Sequence, residues 1–296
     1  MLTSILYITT HPAYRYENIS LLENQIFPNN ITFKQWRDYM IEYRNCLIAK
    51  SENLWIEIDD RLTECRNKFF PQITDSLLLQ IHVGRYGETK VFLDFPEENH
   101  PKECKFLTIG IGGDIQAEQE FARKYPFCRL YGLDPKQDQG ELFIEVGTYV
   151  PFGLSSEGGP LPLTVRAPDG TYRSEQLSTI TFHQPVNRYL GNGPVHFTTL
   201  DIEGGEYPLL KELFYQGAVE KAGLSLCQID VEFHNQKESK TNQRFVSIFP
   251  DLMKKSSYIP IFVKNHLHHK KITLINAEDT YCLGIFAVVQ MSSIKS

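Results

Sequence analysis

The chain has 296 residues, of which 42% are hydrophobic and 22% are charged. This composition is ordinary for a globular protein with a sizeable core and excludes collagen-like, disordered and small disulfide-scaffold classes. The net charge of −6 disfavours a nucleic-acid partner, because such binding needs a basic face to neutralise phosphates. The opening segment MLTSILYITTH is a poor signal peptide, and no run of about 18 apolar residues predicts a membrane span. We therefore expect a cytoplasmic protein, with the secretory pathway as the alternative.

Six cysteines are scattered along the chain without a C-x-x-C pair, so zinc binding has little support. Cys46 and Cys65 are placed to pair between two helices in an oxidising compartment, but we favour buried reduced thiols. Asn18 and Asn30 begin glycosylation sequons, which matter only in a secreted protein.

Basic residues and histidines cluster near the C-terminal end of the chain. The cluster consists of Lys264, His266, His268, His269, Lys270 and Lys271. Charge runs of this kind are usually solvated, so we expect an exposed loop, with a phosphate site as the alternative.

Two amphipathic helices are predicted in the first quarter of the chain. Thr32 is in position to cap the first helix and Ser51 to cap the second. In each helix, apolar residues recur at steps of three and four, which places them on one face. They are Phe33, Trp36, Met40, Tyr43 and Leu47, then Leu54, Ile58, Leu62, Cys65 and Phe69. Residues 1–76 are therefore predicted to form a helical extension or cap.

From Leu77 onward the pattern changes to short strands. The runs LLLQIHV and TKVFLDF flank Gly84-Arg85-Tyr86-Gly87 and predict a hairpin. Apolar strands then alternate with helices, which predicts an α/β fold with a mostly parallel sheet. Strands are predicted at 105–111, 129–133, 149–154, 196–201, 224–233, 258–263 and 282–290, and helices at 116–124, 207–215 and 243–255. The last two strands have no helix between them and are predicted to pair antiparallel, so residues 77–296 form one Rossmann-like domain.

A glycine-rich turn follows the first strand of this domain. Gly110, Gly112 and Gly113 would let a ligand approach the backbone where the next helix offers free N–H groups. Asp134 ends the following strand, where an acidic side chain suits the two hydroxyls of an adenosine ribose. Strand, turn, helix and acid together predict a nucleoside cofactor, whereas the turn alone would be equally consistent with a plain tight turn.

The glycine spacing favours one cofactor over another. Ile115 stands where the dinucleotide pattern G-x-G-x-x-G requires its last glycine, which disfavours a pyrophosphate ligand and a nicotinamide oxidoreductase. S-adenosylmethionine has no phosphates and carries a carboxylate that suits a helix N-terminus. The terminal antiparallel pair also fits the methyltransferase version of this sheet.

Carboxylates cluster after the predicted strand 196–201. Asp201 is in position to bind the ammonium group of the cofactor, and Glu203 to face the substrate. Glu206 is expected to begin the next helix and complement its dipole rather than act directly.

A second polar group ends the predicted strand 224–233. Alternation places Asp230, Glu232 and His234 on one face of this buried strand, which is costly unless they are paired or functional. His234 is a candidate general base or, with Asp201 and Glu232, a candidate ligand of a divalent metal, which we do not favour. The alternative is a hydrogen-bonded structural histidine.

In these residues the sequence resembles the FkbM-type methyltransferases, specifically an expanded set of nematode proteins. The resemblance runs from about Leu78 to Val289. Its most specific pieces are TIGIGGDIQAEQEF, RLYGLDP, YVPFGLSSEGG, LDIEGGEYPLLKELF and LCQIDVEFH. Gly204-Gly205 departs from the family, which usually has a Gly and an Ala between these acids.

The resemblance implies a class I fold dependent on S-adenosylmethionine. In it, Gly110, Gly112 and Gly113 would hold the methionine part of the cofactor and Asp134 the ribose. Phe152 and Gly153 would lie near the adenosine, and Asp201 would close the site.

We therefore expect O-methylation of a small-molecule or sugar hydroxyl. His234 or Glu203 would accept the hydroxyl proton, and Glu232 completes the predicted catalytic set. Methylation of a nucleic acid or protein, and a catalytically inactive binding module, are the alternatives.

Overall fold

A computed structural model provides the architecture. It describes residues 26–27, 31–82, 87–167, 171–191, 193–235 and 239–294. The opening segment, the asparagines of both sequons and residues 84–86 of the predicted hairpin turn lie outside the described residues.

Helices and strands alternate along most of the described chain. The helices are α1 (Phe33–Leu47), α2 (Leu54–Phe69), α3 (Gln116–Lys124), α4 (Gln137–Gly140), α5 (His183–Pro185), α6 (Glu206–Leu210), α7 (Ala218–Lys221), α8 (Gln243–Lys255) and α9 (Thr280–Ile285). The strands are β1 (Leu78–His82), β2 (Thr89–Leu93), β3 (Cys104–Ile109), β4 (Cys128–Leu133), β5 (Thr148–Val150), β6 (Gly153–Leu154), β7 (Gly159–Arg166), β8 (Tyr172–Ile180), β9 (Val195–Leu200), β10 (Leu226–Phe233), β11 (Tyr258–His266) and β12 (His269–Asn276).

Helix α1 begins as predicted and α2 does not. The Thr32 hydroxyl accepts from the N–H of Gln35, whose side chain accepts in return from the N–H of Thr32, a reciprocal capping box. The prediction of Ser51 as the cap of α2 is wrong, because the cap residue is Asn53. Its backbone N–H donates to the carboxylate of Glu57 one turn later, which sets the start of the helix two residues further on.

The two N-terminal helices are part of the main core. The buried indole of Trp36 donates to the carbonyl oxygen of Ala277 at 2.7 Å, and the Tyr43 hydroxyl donates to that of Pro260 at 2.6 Å. Both side chains belong to the same apolar cluster as the sheet. The helices therefore cover the side of the sheet near β11.

The central sheet has seven strands in the order β11-β12-β10-β9-β3-β4-β5. All neighbours pair parallel except at β12, which runs antiparallel to both β10 and β11. The chain extends from β3 outward to β5 and then returns to build the other half from β9. Ligands in open α/β sheets bind at such a reversal, outside the carboxyl ends of the strands. Here that position lies between β3 and β9.

The predicted seventh strand is wrong. Residues 282–290 form most of α9 and a 3-10 turn, and the antiparallel partner of β10 and β11 is β12. A short buried apolar run fits a helix or a strand equally well. Strand β12 begins His269-Lys270-Lys271, a basic run that predicts a loop, but the charges of both lysines are paired within the fold.

Other predicted elements hold with smaller changes. The bounds of α3 and α8 are as predicted, whereas the helix expected at 207–215 consists of α6 and a 3-10 turn, Lys211–Leu213. The end of the expected helix is extended instead, because Phe214 forms an isolated antiparallel β-bridge with Ser256. The strand expected at 149–154 divides into β5 in the main sheet and β6 in a three-stranded sheet with β7 and β8.

The predicted hairpin lies on one face of the main sheet. β1 and β2 pair antiparallel, and polar side chains of β10 hydrogen bond to the backbone of β2. The carboxylate of Asp230 accepts from the N–H of Val91 at 2.9 Å, and Gln228 both accepts from and donates to Leu93. Asp230 therefore has a structural partner, and the hairpin residues are held close to the end of β10.

The prediction of reduced thiols is contradicted. The six cysteines form the pairs Cys46–Cys65, Cys104–Cys128 and Cys227–Cys282. Their Cα–Cα distances of 6.0, 4.4 and 5.1 Å suit disulfides. Two of the pairs connect elements whose proximity depends on sheet order, which spacing in the sequence does not reveal.

Within the described ranges, no helix has the length and apolar character required to cross a bilayer.

Candidate functional site

The glycine turn after β3 touches the loop after β9. Gly110, Gly112 and Gly113 all have positive φ, at 90°, 64° and 77°. A Cβ on Gly110 would collide with the carbonyl oxygen of Asp201, so the two chain segments approach as closely as glycine allows. A Cβ on Gly112 would meet nothing within 4 Å, so this residue borders open space.

Asp134 fastens the glycine turn from the end of β4. Its Oδ2 accepts from the N–H groups of Ile111 and Gly112, both at 3.0 Å, and its Oδ1 accepts from the N–H of Lys136 at 2.8 Å. Burial raises the pKa of this carboxyl group, and the three N–H donors lower it in part. Because Oδ1 accepts only one of these bonds, it retains capacity for a further donor.

Phe152 and Gly153 lie on the far side of Asp134. The Phe152 N–H donates to the carbonyl of Val150 at the end of β5, and its side chain is half-buried. A Cβ on Gly153 would stand 3.4 Å from the ring of Pro135. Both residues therefore flank the loop that carries Asp134.

A pocket of about 370 Å³ opens beside the turn. It lies between the start of α3 and the segment after α4, and it is lined by Gly113, Asp114, Ile115, Gln116, Gln119, Leu142 and Glu145.

His234 stands at the centre of a second, charged group. The ring is buried, with its Nε2 atom 3.6 Å from Oδ1 of Asp201 and 3.3 Å from Oε2 of Glu203. On the other side, Nδ1 lies 3.4 Å from Oε1 of Glu206. The structure thus brings together the carboxylates of the β9 loop and the histidine after β10, as the sequence predicted.

Glu206 does more than begin a helix. It is the first residue of α6, as expected, but its side chain is fully buried. Its Oε1 accepts from the backbone N–H of His234 at 2.9 Å, and its Oε2 accepts from that of Gly204 at 2.8 Å. The carboxylate therefore ties the β9 loop to the end of β10.

His234 is an imidazolium at neutral pH. Burial lowers its pKa, but the nearby carboxylates of Glu206, Asp201 and Glu232 outweigh burial and raise it to about 10. The contact between Nδ1 and Glu206 is an ion pair rather than an aligned hydrogen bond, so charge is the main cause. In this state both ring nitrogens carry protons, and the ring cannot accept another.

Glu232 and a lysine from β12 extend the group along β10. Burial and the charge of Asp201 raise the pKa of Glu232 to about 8, against the effect of Lys271. Lys271 is the register partner of Glu232, and its Nζ lies 3.5 Å from Oε2 of Glu232 and also contacts Glu88. Burial lowers the pKa of Lys271, but the surrounding carboxylates raise it well above its usual value.

Sequence reasoning therefore missed Lys271 and Glu88 and mislocated the basic cluster. All but one of its members lie on β11 and β12, and only His268 lies in the turn between the two strands. The buried Lys270 pairs with Asp59 of α2 at 2.6 Å and lies over the ring of Trp55. The expected solvated loop does not form, because Lys270 and Lys271 have carboxylate partners.

Two sets of side chains within the described ranges have the spacing of metal ligands. They are Glu232, His234 and His269, and Glu88, Asp201 and Glu232. In the first set, Nδ1 of His269 accepts from the N–H of Asn235 at 2.9 Å, which places the proton of the neutral ring on Nε2. Burial and the charge of His234 lower the pKa of His269 to about 3, so the ring is neutral. Neither histidine therefore presents a free lone pair to an ion, and the trio Asp201, Glu232 and His234, which the sequence offered as a less favoured metal site, is split between the two sets.

The comparison with protein families agrees with this geometry. The family model for the methyltransferase FkbM domain matches residues 70–260, which is more than half of the chain. No curated protein matches the sequence. The match includes the glycine turn, Asp134, the β9 loop and His234. This chain belongs to the family of proteins with a methyltransferase FkbM domain.

Proposed function

We propose that this protein is an S-adenosylmethionine-dependent methyltransferase of class I that methylates a hydroxyl group on a small molecule or sugar. The contact between Gly110 and the backbone of Asp201 carries the proposal, because it joins a cofactor-type turn to a charged cluster at the sheet reversal. The single reversed strand β12, between β10 and β11, supports the class I arrangement.

The residues of the turn fit S-adenosylmethionine. The open space at Gly112 and the adjacent N-terminus of α3 suit the methionine part, because the positive end of the helix dipole favours its carboxylate. The remaining acceptor capacity of Asp134 suits a ribose hydroxyl, with Phe152 and Gly153 on the adenosine side. When bound, this cofactor supplies an electrophilic methyl group.

Glu203 is proposed as the residue that accepts the hydroxyl proton. The side chains of Glu203 and Asp201 are about one-quarter exposed, whereas those of His234 and Glu206 are buried. A hydroxyl proton becomes strongly acidic as its oxygen forms the new bond to carbon, so a carboxylate suffices as the base. The imidazolium of His234 would hold Glu203 and Asp201 in place.

The backbone conformation of Glu203 supports its proposed role as the base. Its φ of 54° is left-handed, a conformation that costs a non-glycine residue about 1–2 kcal/mol. Such strain persists where the surroundings impose it, and it clusters at functional sites.

The charge of the cluster favours a neutral acceptor that offers hydroxyl donors. Asp201 and Glu203 are its accessible acids, and carboxylates accept hydrogen bonds while repelling phosphates. Methylation of a nucleic acid is disfavoured for that reason. A protein acceptor and an inactive binding module remain outcomes that the assay below distinguishes.

We further propose that the N-terminal helices help to select the acceptor. The side chain of Asn53 at the start of α2 donates to the carbonyl oxygen of Lys240 at 3.0 Å, and Trp55 packs on Phe245. Both contacts reach the segment that follows His234, so α2 borders the acceptor side of the site.

We also propose that the protein works in an oxidising compartment. Three disulfides are typical of secreted or lumenal proteins and rare in the reducing cytosol, which opposes the cytoplasmic expectation. Mass spectrometry after alkylation without reductant should find no modified cysteine. Six alkylated cysteines in the native protein would contradict the proposal.

Ligand-dependent thermal unfolding tests the main proposal. S-adenosylmethionine and S-adenosylhomocysteine should each raise the Tm, since a ligand at 100 times its Kd adds about 2.7 kcal/mol of stability. NAD should not raise it. Release of S-adenosylhomocysteine on a panel of sugars and small alcohols then tests turnover, with peptides as the alternative acceptors. Stabilisation by NAD alone would overturn the proposal, and binding without turnover on any acceptor would favour the inactive module.

A further inference from the structure

A buried lysine occupies the most acidic part of the site. Nζ of Lys271 contacts Glu88 and lies 3.5 Å from Glu232, and its side chain is only 4% exposed. It comes from β12, and Glu88 immediately precedes β2. The hydrogen bond between Val91 and Asp230 holds that hairpin against β10, so the contact between Lys271 and Glu88 is fixed by the fold.

The carboxylates around this lysine have the spacing of a cation site. One oxygen each from Glu88, Asp201 and Glu232 lies within 4.8 Å of the others. Divalent cations such as Mg²⁺ and Ca²⁺ bind oxygen ligands at about 2.0–2.6 Å, so such a triangle could enclose one ion. Lys271 already contacts two of the three acids, and its positive charge would strongly repel a second cation at that distance.

We propose that the ammonium group of Lys271 is the resident cation of this site, where it positions Glu88 and Glu232 in the role that a divalent metal would otherwise fill. The positioning role of Lys271 rests on the proposed methyltransferase function, whereas the experiment that tests it requires no methyl transfer. Lys271 is thus a positioning residue, and methyl transfer proceeds without a metal ion. Replacing Lys271 with a neutral residue removes the cation that contacts Glu88 and Glu232, while the charges of Lys90 and His234 remain nearby, and so lowers the repulsion that a divalent ion would meet between the three carboxylates.

The test measures binding of Mn²⁺ alone by electron paramagnetic resonance, which requires neither cofactor nor turnover. The wild-type protein should bind Mn²⁺ weakly, and Lys271→Gln should bind it at least about tenfold more tightly because it retains the oxygen ligands without the ammonium. Lys271→Arg keeps the charge and should resemble the wild type. The double variant K271Q/E232Q lacks one ligand and should lose the gained affinity.

Lys264→Gln is the matched control. Lys264 is the register partner of Lys271 on β11, but its Nζ donates to the hydroxyl of Thr89 rather than to a carboxylate. This variant removes the same charge from the neighbouring strand and should gain no Mn²⁺ affinity. If K271Q is unfolded without metal, Mn²⁺ should restore a cooperative unfolding transition, and K264Q should show no such effect.

Several results would overturn the inference. One is wild-type binding of Mn²⁺ as tight as that of K271Q, and another is wild-type turnover that EDTA abolishes and Mn²⁺ restores. A folded K271Q that gains no affinity, or an unfolded one that Mn²⁺ does not restore, would do the same. If S-adenosylmethionine fails to stabilise the wild type while K271Q gains Mn²⁺ binding, the proposed methyltransferase function is contradicted, but the role of Lys271 as the cation of this site is not.

Discussion

The two halves of the site are built from different parts of the polypeptide. The proposed cofactor half is built around one turn, Gly110–Gly113, and one carboxylate, Asp134, and most of the contacts between them involve backbone atoms. The proposed acceptor half consists of side chains from the β9 loop, the end of β10, β12 and the β1–β2 hairpin, and Asp201, which the sequence predicts to bind the cofactor, lies where the two halves meet. Where backbone segments pack closely, a substitution that adds side-chain atoms disrupts the site. Where charged side chains are paired, a substitution that removes one charge disrupts it. The two halves should therefore fail in different ways when mutated.

The largest effect is expected from Gly110→Ala. The new Cβ would overlap the Asp201 carbonyl and force an unfavourable φ, so we expect a loss of more than about 4 kcal/mol in the free energy of unfolding. Urea denaturation measures this loss. Gly112→Ala is the matched control, because its φ is also positive but its Cβ enters open space, and it should cost only about 1–2 kcal/mol. Equal losses in the two variants would contradict the close approach of β3 and β9.

The next largest effect is expected from Glu203→Gln. The amide keeps the shape of the side chain but cannot accept the hydroxyl proton, so kcat should fall by about 10²–10⁴. The Kd for S-adenosylmethionine, measured by calorimetry, should be unchanged because Glu203 belongs to the acceptor half. Glu64→Gln, on the exposed face of α2, should leave kcat intact. If E203Q weakens cofactor binding and leaves kcat alone, the assignment of the two halves is wrong.

Asp134→Asn should have the opposite signature. The amide removes the negative charge that holds the N–H groups of Ile111 and Gly112, so the cofactor Kd should rise by about 10- to 100-fold. Once the protein is saturated with cofactor, kcat should stay near the wild-type value. A fall in kcat at saturation, with Kd unchanged, would place Asp134 in the acceptor half instead.

The same contrast explains how much of the site could be predicted from the sequence. The proposed cofactor half is local: a strand, a glycine turn and an acid at the next strand end occur in order along the chain, so the sequence alone predicts that these residues lie together. The acceptor half depends on which strands are neighbours. His234, Glu203 and Asp201 follow strand ends, so the sequence alone singles them out, whereas Lys271 lies in a basic run that is typical of a solvated loop, and only the position of β12 places it opposite Glu232.

Prediction of the fold was limited in the same way, because local elements were predicted and contacts between distant segments were not. The central strands and α3 were predicted because their apolar runs and caps are local signals. The order of strands, the position of β12 and the cysteine pairs depend on contacts between distant segments. Cys104 and Cys128, for example, are register partners on β3 and β4, which only the sheet reveals.

The pH dependence of stability should separate the contribution of Glu232, on β10, from that of His234, which follows the strand. The folded pKa of His234 is raised from 6.5 to about 10, so the stability it contributes is complete below about pH 6.5 and is lost as the pH rises towards 10. The folded pKa of Glu232 is raised from 4.5 to about 8, so it favours the folded state at low pH and costs stability between those values. Stability should therefore decline from about pH 5 to 10.

Urea denaturation of two variants across this range tests the assignment. Glu232→Gln should flatten the decline mainly between pH 4.5 and 8, and His234→Gln mainly between 6.5 and 10. If wild-type stability rose with pH across the upper range, the imidazolium state of His234 would be wrong.

The smallest effect tests whether α2 belongs to the acceptor half. Asn53→Ala removes the hydrogen bond to Lys240 at the edge of the segment after His234, which should cost about 0.5–1.5 kcal/mol of stability. Thr32→Ala removes the cap of α1 at a similar cost of about 1 kcal/mol. Only N53A should raise the KM for the acceptor, by a few-fold, because α1 makes no such contact with the acceptor side in the described structure. Equal KM values in the two variants would mean that the helices stabilise the sheet without helping to choose the acceptor.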